Sequence, residues 1–191
     1  MNTSNPTLAN QLWPATSQSL LRNGALAILG SLVVAAAAHI TVVQLPVPLT
    51  LQTLAVLCIG AAFGSRLGAA TLALYAVEGA VGLPVFAPTP DGYPGIIGPT
   101  GGYIIGFILA AGLVGWLAEK GWDRSIPKML VATLLGGTIL YVPGLIWLST
   151  FVGGFGPAVE YGLAPFWLAD IVKAVLAALA FPAVWNLLGR R

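Results

Sequence analysis

The sequence predicts an all-α integral membrane protein of six transmembrane helices, with its amino and carboxyl termini both cytoplasmic. Three observations carry that reading. Apolar types make up 58% of the 191 residues and charged types 7%, against about 25% charged in an average soluble domain. Apolar stretches of about 15 to 25 residues recur with few or no charges, as bilayer-spanning helices require. The cations, finally, fall in alternate connections along the chain, which is the asymmetry that orients membrane proteins. The slight excess of positive charge, with no basic patch interleaved with aromatics, gives no footing for nucleic acid.

Residues 1–19 are polar, uncharged and proline-containing, without the basic region and short apolar core of a cleavable signal peptide. They read as a partly disordered or interfacial cytoplasmic tail, and residues 20–191 as a single six-helix transmembrane domain. The first helix is expected over 20–43, ending where Gln44-Leu45-Pro46 and a second nearby proline stop it. Ala27, Ser31 and Ala35 recur on it every four residues. Such a small-residue stripe fits close internal packing and contact with another subunit equally.

The second and third helices, 49–63 and 67–81, are separated only by Gly64-Ser65-Arg66 and form a tight hairpin. At 15 residues each would be about 22 Å long, short of the roughly 30 Å hydrocarbon layer, so extension, tilt or burial is expected, with a re-entrant hairpin as the alternative. The third carries Tyr75 and Glu78 before breaking at Gly82-Leu83-Pro84.

From 82 to 102 the chain holds five prolines, six glycines and one charge, Asp91. Its apolar content (Val85, Phe86, Tyr93, Ile96, Ile97) argues for a structured loop suited to act as a lid. The fourth helix, 103–118, leads into the most charged segment, Glu119 to Arg124. The fifth, 127–148, contains Pro143-Gly144, where a kink is expected. A glycine-rich connection holding Glu160 then reaches the sixth helix, 166–188.

Arg22, Arg66, Lys120, Arg124, Lys128, Arg190 and Arg191 all belong to one face of this arrangement, and the three opposite loops contain no Lys or Arg. That distribution sets the orientation. The remaining cation, Lys173, lies in the sixth helix three residues after Asp170, so the two share one helical face. Ionised groups inside a span are costly unless paired or hydrated, and an intramembrane pair marks a functional site by default, although a purely structural ion pair has the same signature. Glu78, Gln44, Gln52 and His39 fall towards the same outer side, with Tyr75, Tyr93, Tyr103, Trp147 and Trp167 available to hold a ring. Together they predict a loop-covered polar pocket between the helices. Trp116, Trp122, Trp167 and Trp185, at helix ends, read as interfacial anchors.

Absences narrow the chemistry. There is no phosphate-binding Gly-x-x-x-x-Gly-Lys-Ser/Thr loop, so an ATPase activity would belong to other subunits. One His and one Cys make no metal site, Cys58 makes no intrachain disulfide, and no nucleophile sits beside a base. The expectation is a solute binder in a membrane, with no enzymatic activity, no cofactor and no metal.

Four stretches, Pro46-Val47-Pro48-Leu49-Thr50-Leu51-Gln52, Gly79-Ala80-Val81-Gly82-Leu83-Pro84-Val85-Phe86, Gly98-Pro99-Thr100-Gly101-Gly102-Tyr103 and Asp170-Ile171-Val172-Lys173, together resemble the BioY family. These are the biotin-binding substrate subunits of energy-coupling-factor transporters. The resemblance implies a multi-pass protein of the bacterial cytoplasmic membrane that captures biotin and works with a transmembrane coupling subunit and two ATPase subunits. It assigns Asp170 and Lys173 to biotin, and docking on the coupling subunit to Ala27, Ser31 and Ala35. Around them Gln52, Tyr75, Thr100, Gly101, Tyr103 and Glu78 complete the expected site. Glu78 would face the ureido group, and the hydroxyl of Thr100 with the amides of Gly101 or Gly102 would hold the carboxylate. The bundle alone does not choose the ligand, so a subunit for another vitamin, or a structural protein whose Asp170-Lys173 pair fixes packing, remains the alternative.

Overall fold

The computed structural model describes residues 5–14, 20–43, 47–88 and 95–189. The expected helix stop at Gln44-Leu45-Pro46, the loop residues Asp91 and Tyr93 and the terminal Arg190 and Arg191 lie outside them. Among the described residues the regular structure is helical apart from one small antiparallel strand pair. Its elements are α1 (Leu8–Leu12), α2 (Leu20–Ala38), β1 (Thr41–Val43), β2 (Leu49–Thr50), α3 (Gln52–Phe63), α4 (Ser65–Ala80), α5 (Gly101–Glu119), α6 (Ile126–Ser149), α7 (Phe155–Gly162) and α8 (Trp167–Gly189). Four of these, α2, α5, α6 and α8, are long and apolar enough to cross a membrane.

Helix α5 is the centre of the bundle, the most deeply buried of those four. Its glycines make this possible. A Cβ on Gly106 would strike the backbone of Leu140 on α6, and one on Gly60 of α3 would lie 2.6 Å from the carbonyl oxygen of Ala111 on α5. Small residues let backbones touch, and packing of this kind drives helix association where the surroundings are as apolar as the side chains. The hairpin between α3 and α4 is a single residue, Gly64, at φ +85°. That left-handed backbone conformation favours glycine. The next residue donates its backbone N–H to Glu119 Oε1 at 2.7 Å, and its hydroxyl donates to the same oxygen at 2.9 Å, so the end of α5 caps the start of α4.

Two stretches differ from the sequence expectation. The first long helix stops at Ala38 and not at residue 43. Beyond it Thr41, Val42 and Val43, all β-branched, pair antiparallel with Leu49–Thr50, which suits their stiff side chains better than another helical turn. The connection after α6 also contains a helix, α7, whose Gly162 carbonyl accepts a 2.9 Å hydrogen bond from Tyr103.

The amino-terminal segment is docked on one end of the bundle. Thr7, Leu8 and Ala9 are buried, the Asn5 N–H donates to the Glu119 carbonyl at 2.8 Å, and Arg22 donates to the Ala9 carbonyl at 2.8 Å. Arg124 reaches the Pro6 carbonyl at the same end. There Trp185 Nε1 also donates to buried Asp123 at 2.6 Å, while Arg124 lies 4.3 Å above the indole ring. These contacts anchor the carboxyl-terminal part of α8 beside the cationic loops. At 1.5 Å per residue, Asp170 is then about 22 Å away along that helix, near the opposite end.

Candidate binding site

The first turns of α8 carry Asp170 and Lys173 on one face, and the bundle supplies their surroundings. Lys173 Nζ lies 3.1 Å from Asp170 Oδ1 and donates to Thr53 Oγ1 of α3 at 2.6 Å. The Thr53 hydroxyl in turn donates to Asp170 Oδ1 at 3.2 Å, so one small side chain accepts from the ammonium and donates to the carboxylate. The other carboxylate oxygen accepts from the Tyr141 hydroxyl of α6. Lys173 is only 6% exposed. Removed from water, each charge is held by an opposite charge and by neutral hydrogen-bonding groups, the condition under which buried ions persist.

This cluster separates two spaces. On one side is a narrow cavity of about 60 Å³, walled by Val47 and Leu49, by Gln52 and Thr53 of α3, by Phe86, by Thr100, Tyr103 and Phe107 near or on α5, and by Lys173. On the other is a wider apolar groove of about 610 Å³ between α6 and α8, bordered by Thr133, Gly137, Tyr141, Ile146, Trp167 and Asp170. Thr53, Tyr141 and Lys173 border both.

The residues expected to form the site are only partly brought together. Asp170 and Lys173 meet as expected, and Gln52, Thr100 and Tyr103 wall the narrow cavity. Tyr75 does not. It is fully buried behind the wall, accepts from Gln52 Nε2 at 2.7 Å and donates to the Val85 carbonyl at 2.9 Å. Two of the donors expected to hold a carboxylate are engaged elsewhere: the Thr100 hydroxyl donates to the Gly95 carbonyl at 3.0 Å and the Gly101 N–H to the Gly98 carbonyl at 3.1 Å.

Glu78 faces away from the cavity, its Oε1 accepting from Ser31 of α2 at 3.0 Å. Its Oε2 is buried with no hydrogen-bond partner among the described residues. The stripe on α2 therefore turns inward at its centre: Ser31 is completely buried, Ala27 and Ala35 are half-buried, and Ile28, Leu29, Leu32 and Val33 are the exposed face. Small size is the reason. Beside Ser31, Gly30 lets α2 meet α4 so closely that a Cβ there would lie 2.7 Å from Thr71 Cγ2.

Two site residues, Thr53 and Tyr141, carry no sequence mark of their own. Thr53 directly follows Gln52, the last residue of one of the four recognisable stretches, and that adjacency is its only signal. Tyr141 stands in an apolar helix as one more aromatic.

A model of the BioY family matches residues 7–190. The chain belongs to the BioY family. BioY relatives similar to it include the biotin transporter BioY of Thermotoga maritima, 40% identical over 134 residues, 70% of this chain and 78% of that one. The probable biotin transporter BioY of Pyrococcus horikoshii is 41% identical over 142 residues, 74% and 83% of the two chains. The putative biotin transporter BioYB of Bacillus subtilis is 31% identical over 184 residues, covering 88% and 91%. A crystal structure of the S-component for biotin from an ECF-type ABC transporter has the same fold, with a TM-score of 0.74 over 90% of this chain and 95% of that one at 21% identity.

Proposed function

We infer that this BioY-family chain captures biotin at the outer face of a cell membrane, as the substrate-binding subunit of an energy-coupling-factor transporter. The observation that carries the reading is the family match over residues 7–190. The Asp170-Thr53-Lys173-Tyr141 cluster supports it, because its polar groups suit biotin. The ureido ring donates two N–H groups and offers a carbonyl, and the thiophane ring and valeryl arm are apolar. Asp170 accepts from ureido N–H, and Lys173 donates to the ureido carbonyl or to the carboxylate. Gln52, Tyr103, Phe107 and Phe86 surround the rings.

In this reading α3 and α4 are the second and third of six spans, short ones packed behind α2 and α5. The docked amino-terminal segment, Arg22, the Gly64 turn, Lys120 and Arg124 mark the cytoplasmic end by the excess of cations there. Asp170 and Lys173 then open outward. Energy comes from a transmembrane coupling subunit with ATPase subunits, and the membrane is the bacterial cytoplasmic membrane. Calorimetric titration of biotin into the purified chain tests the assignment. Saturable binding is expected, with loss of at least tenfold in affinity in both Lys173→Ala and Asp170→Ala. A folded, monodisperse protein that takes up no biotin overturns it.

A further inference from the structure

The narrow cavity is too small for its proposed occupant. About 60 Å³ admits water, whereas sites for small organic molecules span roughly 300–1,000 Å³. A wall therefore moves when a ring-containing solute enters. The walls from α5 and α6 are continuous helices whose backbones meet at Gly102 and Gly106, Lys173 of α8 is tied to Thr53 and Asp170, and Leu49 and Thr50 are paired with β1, so each of these walls is held by neighbouring elements. The wall formed by Phe86 and Ala87 follows α4 in the connection, and its attachment is local. The Phe86 ring lies against Gly79, where any Cβ would overlap it, and edge-on to Tyr75 with ring centroids 5.2 Å apart. One residue before it, the Val85 carbonyl accepts the 2.9 Å hydrogen bond from Tyr75.

We propose that Phe86 is the gate of this cavity and that Tyr75 is the positioning residue that latches it. Tyr75 touches no part of the cavity. It acts through Val85 and Phe86, holding the wall against α4, and through Gln52, whose amide it orients by accepting the 2.7 Å hydrogen bond. Release of the Tyr75–Val85 bond frees Phe86 to swing off Gly79, and the cavity opens on the side walled by Phe86 and Ala87. Gly79 is part of the device, since a larger residue there would leave the ring no seat. The proposal rests on the biotin reading for the identity of the solute but not for the gate itself.

The test needs no ligand. Ile104, which walls the cavity and is 4% exposed, is replaced by Cys in a Cys58→Ser background, and its reaction rate with a charged, membrane-impermeant methanethiosulfonate is measured on the full chain. Tyr75→Phe, which removes only the latch hydroxyl, is expected to raise the rate roughly three- to tenfold, as loss of one hydrogen bond implies. Phe86→Ala should raise it further. Trp185→Phe, which loosens the opposite end of the bundle, should leave it unchanged. Equal rates in the parent, Tyr75→Phe and Phe86→Ala overturn the gate, and so does an equal rise in Trp185→Phe, which would mean general loosening. Added biotin separates the two readings. Protection of Ile104→Cys by biotin supports both, whereas faster labelling in Tyr75→Phe with no protection by biotin keeps the gate and removes biotin as the solute.

Discussion

Ser31 on α2 donates a 3.0 Å hydrogen bond to Glu78 Oε1 on α4, and this bond joins the only acid of α4 to the centre of the small-residue stripe. It turns Ser31 into the bundle and takes Glu78 out of the cavity wall. In Ser31→Ala the carboxylate loses its donor while its second oxygen already lacks a partner among the described residues. The expected loss is about 1–3 kcal/mol of stability, read as a lower midpoint of thermal unfolding in detergent. An unchanged midpoint would show that the bond contributes nothing.

The pair of Asp170 and Lys173 gives a test that separates packing from binding. Removing one member leaves the other buried and unpaired, which destabilises by roughly 3–5 kcal/mol. Asp170→Asn combined with Lys173→Met removes both charges at similar volume. The double variant is expected to recover much of the stability of the parent and to bind no biotin. Recovery of both stability and binding would reduce the pair to a packing device.

Tyr141→Phe removes the donor to Asp170 Oδ2 and little else, since the ring keeps its edge-on contact with Tyr103 at 6.0 Å between centroids. A hydrogen bond to a charged group contributes about 1.5–3 kcal/mol. Biotin affinity should fall about tenfold or more by calorimetry. An affinity equal to that of the parent chain would exclude Tyr141 from orienting the carboxylate.

At the end of the bundle where Arg124 stacks on Trp185, burial pushes the Asp123 carboxyl above its ordinary value, and the hydrogen bond from Trp185 and the charge of Arg124 offset only part of the shift. For an acid with a raised folded-state pKa the native state binds more protons than the unfolded one. The contribution to stability is therefore full below the unfolded value of about 3.9 and is lost as pH rises through the folded value. Asp123→Asn removes this dependence and keeps an acceptor for Trp185. Relative to that variant, the parent should lose stability as pH rises from about 4, followed by thermal unfolding; parallel profiles would contradict the assignment.

How much of the site was legible follows from residue type. Asp170 and Lys173 stand out because charges are rare in an apolar run, and their spacing already sets them on one helical face. Thr53 and Tyr141 do not stand out, because Thr and Tyr are ordinary in apolar helices. Their bonds to Asp170 span 117 and 29 residues of sequence, a distance that no local pattern reports. Glu78 was visible as a charge, but the direction it faces depends on the rotation of α4 against α2. Tyr75 lies one turn from Glu78 yet points to Gln52 and Val85 and latches the wall from behind.

Composition, charge asymmetry and four short stretches were enough to establish a helical membrane protein of the BioY family, because each is a property of the chain read locally. The tertiary structure alone decided that Thr53 and Tyr141 complete the polar cluster, that Ser31 is engaged by Glu78, and that the cavity beside Lys173 is narrow, about 60 Å³. The physical reason is common to all three. They depend on how helices rotate and approach, and close contacts at Gly60, Gly30 and Gly106 set that geometry through space rather than along the sequence.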